Sequence, residues 1–334
     1  MRETVRPDGP RFRVSRGFLA IAFATILVFT LGAVAAPSSI SHSAIIGMVP
    51  FAAVLAIAGL GQMLVVQHGG IDLSVAGGVS LAVVIVTHEP DGDSARLGAA
   101  VVMAIAFAVG GGLINGLLVS RLRLNSIIAT LGVNAVFYGA VFAISGGTPR
   151  STTRLLAQIA GDTTWGIPNA AVFAVAALIV VSLVTKYTVA GRRFEAIGAN
   201  PAAGRAVGLR VRVHHTMAFV WAQLLYCLAG ILLAGITNQP TAFQGDSLLL
   251  PSVAVVVLAG TSLLGGRGFP ISTVIAAVFL RELQQVVLAL GVDTSVQTLV
   301  QAIALAVGVA LYSVNWSAMR RRMFGRRPSR AIAA

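Results

Sequence analysis

Ionisable side chains inside apolar sequence are where this chain can do chemistry, and there are few of them. Asp72 stands in Gln67-His68-Gly69-Gly70-Ile71-Asp72-Leu73-Ser74-Val75, and Arg281-Glu282 interrupt a long apolar run. In such surroundings a carboxylate relays protons, binds a cation or pairs with a neighbouring helix. Gly69 and Gly70 permit a sharp backbone break, and Asp72 can cap the helix that follows, its charge meeting the positive helix end. Two readings stand side by side. Either this is a structural turn with its own cap, or Gly69, Gly70, Asp72 and Ser74 line a gate or touch a partner. Irregular backbone near a membrane survives only where protein or water satisfies it. As an ion or proton site Asp72 is weak, because the nearest charges in sequence are distant and the turn falls at the end of a full-length apolar run.

Arg281 and Glu282 cost roughly 2.5–3.5 kcal/mol each at the centre of a membrane helix. Neighbouring residues point about 100° apart on a helix, so the two cannot share one face. They read as an interhelical ion pair, or as groups facing a subunit interface or an aqueous path. Gln284, Gln285, Asn115, Asn134 and Gln223 are polar side chains within apolar runs. Such groups hydrogen-bond between helices or offer passing contacts to hydroxylated solutes.

Enzyme signatures are missing. Lys186 is the only lysine and follows Thr185, so there is no GxxxxGK[ST] phosphate loop. HExxH, CxxC and GxSxG are also missing. His42, His68, His88, His214 and His215 lie in or near loops without zinc-ligand spacing, so no metal site is expected. The chain is not expected to hydrolyse ATP by itself or to bind a cofactor.

The elements that hold these residues are read from composition. Of 334 residues 57% are hydrophobic and 10% charged, against about 25% charged in a soluble domain. Repeated apolar runs of about 20 residues indicate one all-α, polytopic membrane domain. Runs bounded by polar residues or by Gly and Pro give about ten helices. They fall near 17–36, 43–66, 73–88, 97–119, 126–145, 168–187, 215–236, 248–264, 269–290 and 296–315. The first apolar run resembles a secretory signal ending in Ala33-Val34-Ala35, but it is longer than such segments and more spans follow, so a retained first helix is expected. Cys227 lies in an apolar run and is expected to be a buried small hydrophobe.

Charge gives the orientation. With a cytoplasmic N-terminus, every Lys and Arg except Arg96, Arg150, Arg154 and Arg281 falls in a cytoplasmic segment. Glu89, Asp91, Asp93, Asp162, Asp246 and Asp293 fall in outer loops. This obeys the positive-inside rule at each crossing and puts both termini in the cytoplasm. The net charge of +13 is therefore topological and does not imply nucleic acid. The organisation is a cytoplasmic tail over 1–16, a polytopic membrane domain over 17–315 and a basic cytoplasmic tail over 316–334.

One polar island stands out, from Lys186 to His215. At its centre Asn200-Pro201-Ala202-Ala203-Gly204-Arg205-Ala206-Val207-Gly208 spells a short capped helix. Asn is a strong N-cap, Pro suits the first helical position, and Gly208 can end the helix in the left-handed conformation. A capped surface helix between two membrane spans has little packing reason to exist and is best explained as a docking part.

Together, GGIDLSV at Gly69–Val75, NGLLVSRLRL at Asn115–Leu124, AIGANPAAGRAVGL at Ala196–Leu209 and VVVLAGTSLLGGRG at Val255–Gly268 carry a family likeness. The chain resembles the permease subunits of bacterial monosaccharide ATP-binding-cassette importers of the ribose, galactose and xylose type. The resemblance covers nearly the whole chain. It implies a multi-pass protein of the bacterial inner membrane, surrounded by lipid and working as a dimer with a second copy or a paralogue. It further implies a cytoplasmic ATP-binding subunit that holds ATP and Mg, and an extracytoplasmic sugar-binding protein. Asn200, Pro201, Ala202, Ala203, Arg205 and Gly208, in the loop 188–214, would form the coupling helix seated in the ATP-binding subunit. Other solutes of related permeases (an autoinducer, a nucleoside, a branched-chain amino acid) stay as alternatives, and an ion-coupled secondary transporter is the rival class. The chain departs from the family pattern at His68, Ala76, Gly204, Arg281-Glu282 and Gln284-Gln285.

Overall fold

Helix starts follow the capping residues of the sequence. Ser41, Asn125, Thr153 and Thr188 each precede a helix, and their side-chain oxygens accept from the N–H of Ala44, Ile127, Leu156 and Gly191. The computed structural model describes residues 16–291 and, beyond them, residues 293, 299, 302, 303 and 306. The tail expected before residue 16, the tenth helix expected over 296–315 and the tail over 316–334 lie outside the described residues, those isolated positions apart.

The chain runs through α1 (Arg16–Ala35), α2 (His42–Val66), α3 (Val75–His88), α4 (Leu97–Ser120) and α5 (Ser126–Ser145). A short α6 (Arg154–Gly161) and a small hairpin of β1 (Thr163–Thr164) and β2 (Ile167–Pro168) lead into α7 (Asn169–Tyr187). Then come α8 (Val189–Ala199), α9 (Pro201–Ala206), α10 (Val211–Thr237), α11 (Leu249–Leu258) and α12 (Pro270–Ala289). Among the described residues, 7 helices are long and apolar enough to cross a membrane: α1, α2, α4, α5, α7, α10 and α12.

Two of the expected spans are shorter than the apolar runs suggested. α3 has 14 residues and α11 has 10, about 21 and 15 Å of helix against a hydrocarbon core about 30 Å thick. The causes are local. The break at Gly69, with φ of 75°, shortens the run before α3, and Gly260, with φ of 86°, ends α11. A 3-10 turn over Gln244–Leu248 takes up the chain before α11.

The core is built around α2 and α10. Every residue of α2 from Ala52 to Val66 is buried, as expected of a helix apolar on all sides. α10 packs along α4, where a Cβ on Gly112 would lie 2.5 Å from Val220 Cα and one on Gly116 would lie 2.6 Å from Thr216 Cα. Bare backbone meets bare backbone there, the contact by which small residues pack membrane helices. Cys227 is buried in α10. The outer helices α1, α5 and α7 expose Phe23, Ile26, Ile128, Leu131, Val175 and Val180.

Interhelical segments sort to two ends. At one end the Gly266 N–H donates to the Gln67 carbonyl at 2.9 Å, and Arg267 pairs with Glu195 at 3.1 Å. At the other, Arg150 pairs with Asp91, the Thr152 N–H donates to the Asn238 carbonyl at 2.7 Å, and the Leu155 N–H reaches Ser94 Oγ at 3.3 Å. This is the alternation that the expected crossings require.

Candidate functional site

The polar island folds into two helices with different surroundings. α8 turns Phe194, Ile197 and Gly198 inward. α9 has only six residues, too few to persist alone in water, yet both of its ends are secured. Asn200 Oδ1 accepts from the N–H groups of Ala202 and Ala203, each at 3.0 Å, and Pro201 occupies the first turn. At the far end Gly208 has φ of 78°. Its N–H donates to the Arg205 carbonyl at 3.0 Å, and the Leu209 N–H donates to the Gly204 carbonyl at 2.9 Å. That pair is the Schellman closure of a helix C-terminus.

The helix so held packs on almost nothing. Gly204 alone is buried, its α-carbon turned to Ile197 and Val211, which explains glycine in an otherwise Ala-rich run. Ala202, Ala203, Arg205, Ala206 and Gly208 are exposed, and Val207 is 74% exposed. The face presented outward is thus small, partly apolar and basic.

α8 connects this surface to the break after α2. A Cβ on Gly198 would lie 2.3 Å from the Gln67 carbonyl oxygen, so these backbones are in direct contact. The His68 ring lies 4.0 Å from the Phe194 ring and 4.6 Å from the His215 ring, centroid to centroid. Burial, reinforced by the neighbouring His215 and His214, pushes the His68 pKa down to about 3. The imidazole there is a neutral aromatic spacer between α8 and α10.

Beyond Gly69 the chain does not stop at the end of α2 but folds back beside it. The Ile71 N–H donates to Ser126 Oγ at 3.2 Å, the Leu73 N–H to Thr130 Oγ1 at 2.9 Å, and the Gly77 N–H to Asn134 Oδ1 at 2.7 Å. Three polar side chains spaced by four residues on one face of α5 thereby satisfy the backbone of the break and of the first turn of α3. Gln62 reaches it from α2. Its Oε1 accepts from the Asp72 N–H and its Nε2 donates to the Asp72 carbonyl, each at 3.1 Å, while Nε2 also donates to the Tyr226 hydroxyl at 2.8 Å.

Asp72 therefore lies inside the protein, fully buried, and not at the end of a span. It does not cap α3 either, because its Oδ1 accepts from the Ser74 N–H at 2.9 Å, two residues on, and from the Ser74 hydroxyl. The Ser74 oxygen in turn accepts from Asn115 Nδ2 and Gln223 Nε2, each at 2.7 Å. The break, α4 and α10 meet on one hydroxyl, and Ser74, Asn115 and Gln223 are all fully buried. The arrangement is a lock on an irregular segment. Among the described residues no ion pair includes Asp72, and no group of His, Cys, Asp and Glu side chains could hold a metal ion.

The α12 residues lie elsewhere. Gln285 Nε2 donates to the Ser39 carbonyl at 2.7 Å, and Arg281 Nη1 donates to Gln284 Oε1 at 2.9 Å, one turn along. Glu282 is buried against α1, its Oε1 3.2 Å from where a Cβ on Gly32 would be. The expected interhelical ion pair is not found, since among the described residues neither Arg281 nor Glu282 belongs to one. The roughly 100° step between neighbours sends one along its own helix and the other toward α1.

The sequence-level candidates thus separate into three places. Asn200–Gly208 stands free at one end, and Gly69, Gly70, Asp72, Ser74, Asn115 and Asn134 come together just inside it. Arg281 through Gln285 hold α12 to α1 and to the 3-10 turn Pro37–Ile40. Gln62, Tyr226, Ser126 and Thr130 went unrecognised. The i, i+4, i+8 spacing of Ser126, Thr130 and Asn134 was the signal available for α5, and an isolated glutamine in an otherwise apolar α2 was the signal for Gln62.

Comparison with known proteins follows the same path. Residues 44–309 match the family described as branched-chain amino acid transport system / permease component. The chain is 32% identical over 300 residues to the ribose import permease protein RbsC of Bacillus subtilis, covering 88% of this chain and 91% of that one. It is 31% identical over 295 residues to the probable ABC transporter permease protein y4mJ of Sinorhizobium fredii, covering 88% of each. To the autoinducer 2 import system permease protein LsrC of an Enterobacter species it is 31% identical over 238 residues, 70% of this chain and 68% of that one. No solved structure matches.

Proposed function

The chain belongs to the family of branched-chain amino acid transport system permease components, and on that premise we propose that it forms the membrane path of a bacterial ATP-binding-cassette importer for a monosaccharide. It is a membrane-spanning, non-catalytic subunit and works with ATP-binding and solute-binding subunits. The monosaccharide reading rests on the ribose import permease, similar over 88% of the chain. The import permease for autoinducer 2 supports a second reading, an autoinducer in place of a nutrient sugar.

The observation that carries the mechanism is α9, fixed at both ends yet exposed along its length. A cytoplasmic ATP-binding subunit, holding ATP and Mg, takes Ala202, Ala203, Arg205 and Val207 into a groove. Its closure pushes α9, and α8 carries the push because Gly198 rests on the Gln67 carbonyl. The break Gly69–Ser74 then moves against α2, α4, α5 and α10, the four helices that meet around Ser74 and Asp72. A permease of this kind needs no tight site of its own, because the extracytoplasmic binding protein supplies selectivity. A second permease copy or a paralogue completes the path.

The test is to purify the solute-binding protein that travels with this permease and titrate it with ribose, fructose, galactose and leucine. Saturable binding of a monosaccharide, with uptake abolished by ATP depletion and insensitive to uncouplers, is the expected result. Binding of leucine and no sugar overturns the monosaccharide reading, and uptake collapsed by an uncoupler at normal ATP overturns the ATP-driven one.

A further inference from the structure

Asp246 is an acid in an unexpected place. The sequence puts it in an outer loop, but the segment before α11 dips inward. The Gly245 N–H donates to Ser80 Oγ at 3.0 Å, and a Cβ on Gly245 would lie 2.1 Å from the Ala76 carbonyl oxygen, so the 3-10 turn Gln244–Leu248 is pressed onto α3. Ser80 is eight residues before the outer end of α3 at His88, about 12 Å below it at 1.5 Å per residue. Asp246 accepts a hydrogen bond from the Tyr138 hydroxyl. Tyr138 in turn lies seven residues below the outer end of α5, about 10 Å down by the same rise. Both helices put this carboxylate within the thickness of the membrane.

Its surroundings are aromatic and open. Phe243 stands edge-on to Tyr138 at 5.2 Å and tilted to Phe142 at 5.0 Å, centroid to centroid. Phe142 is 56% exposed and Asp246 is exposed, while Gly139 between the two α5 aromatics has nothing within 4 Å of where its Cβ would be. A carboxylate at this depth facing lipid would cost several kcal/mol, and one phenol hydroxyl occupies only part of its capacity to accept hydrogen bonds. An exposed acid there belongs to a water-filled or solute-filled path.

We propose that Tyr138, Phe142, Phe243 and Asp246 form an outer carbohydrate station on the translocation path, entered by the sugar after release from its binding protein. The chemistry fits one ligand class. Aromatic faces carry negative charge and attract the C–H faces of a sugar ring, and a carboxylate accepts from a pair of sugar hydroxyls. Asn134 links the station inward, because its Oδ1 holds the Gly77 N–H one turn below Tyr138. Movement of the break therefore reaches the station through α5. The proposal rests on the monosaccharide reading.

The test uses the whole importer in vesicles, with labelled ribose, fructose and galactose as probes and leucine as the contrast. Phe142→Ala and Asp246→Ala are expected to lower maximal uptake roughly tenfold and to leave the half-saturating concentration where the binding protein sets it. Phe142→Trp keeps the aromatic face and is expected to lose less uptake than Phe142→Ala. Its indole emission, in the purified permease, is expected to shift with the transported sugar and not with leucine. A sugar importer in which Phe142→Ala and Asp246→Ala reach normal membrane levels and transport normally overturns the station alone. An importer that carries leucine and no monosaccharide overturns the reading beneath it.

Discussion

Gly198 rests on Gln67 so closely that a Cβ on the glycine would lie 2.3 Å from the Gln67 carbonyl oxygen. Here the helix behind the exposed α9 touches the backbone that opens the break. Gly198→Ala forces the two apart, because a backbone oxygen cannot move aside as a side-chain tip can, and overpacking of this kind costs about 1–3 kcal/mol. Uptake is expected to fall at least about tenfold while ATP hydrolysis by the partner continues without stimulation by the solute-loaded binding protein. Gly98→Ala, where nothing lies within 4 Å of the new carbon, serves as the neutral comparison. Tight coupling retained in Gly198→Ala would remove α8 from the transmission path.

The caps of α9 are separable from its surface. Gly208 at φ of 78° closes the helix, and any residue with a Cβ there is strained by about 1–2 kcal/mol. Asn200→Ala removes the acceptor for two N–H groups and costs about 0.5–2 kcal/mol. Gly208→Trp, and more completely deletion of 201–207, should abolish uptake and co-purification with the ATP-binding subunit while membrane insertion is unchanged. Val207→Ser leaves both caps intact and tests the surface alone, with weakened co-purification expected. Normal uptake in the deletion variant sinks the coupling assignment.

What the sequence disclosed, and what it hid, divides along physical lines. Local rules were sufficient for α9, because Asn200, Pro201 and Gly208 act within their own turn and need no tertiary context. Apolar runs marked the membrane helices because lipid demands them. The run over 248–264 hid a helix of only ten residues, and the outer-loop reading before it hid the dipping turn Gln244–Leu248, since hydropathy does not register where backbone hydrogen bonds are interrupted. Helix geometry already separated Arg281 from Glu282, but their charges pointed to ion pairs with other helices, and among the described residues neither belongs to one. The convergence of Asn115 and Gln223 on Ser74 joins residues 41 and 149 positions apart, a relation that no local pattern carries.

The lock around Ser74 predicts an asymmetry between substitutions at Asp72. Asp72→Asn keeps an oxygen that accepts from the Ser74 N–H and hydroxyl, so the break retains its shape. Asp72→Ala leaves both donors unsatisfied in a fully buried place, at about 1–3 kcal/mol. Thermal unfolding in detergent should show Asp72→Ala clearly destabilised and Asp72→Asn near the parent, with uptake following the same order. Equal loss in both variants would mean that the negative charge itself is used, as an ion or proton site requires.

His68 makes stability depend on pH. Its folded pKa of about 3 lies below the ordinary value of 6.5, so below pH 6.5 the unfolded chain binds a proton that the folded chain refuses. The contribution is fully present above pH 6.5 and is lost progressively as pH falls toward 3. By pH 5 the loss is about 2 kcal/mol, taking 1.36 kcal/mol per pKa unit over one and a half units. His214 and His215 face it from α10, and Phe194 from α8, beside the Glu195–Arg267 pair at 3.1 Å. Acidification adds positive charge to this cluster and relieves none. His68→Phe keeps the ring between Phe194 and His215 and removes the titration. Thermal melts of the purified permease at pH 7.5 and pH 5 are expected to diverge for the parent chain and to lie closer together for His68→Phe. If both chains lose the same stability over that interval, another group carries the acid sensitivity and His68 is only a spacer.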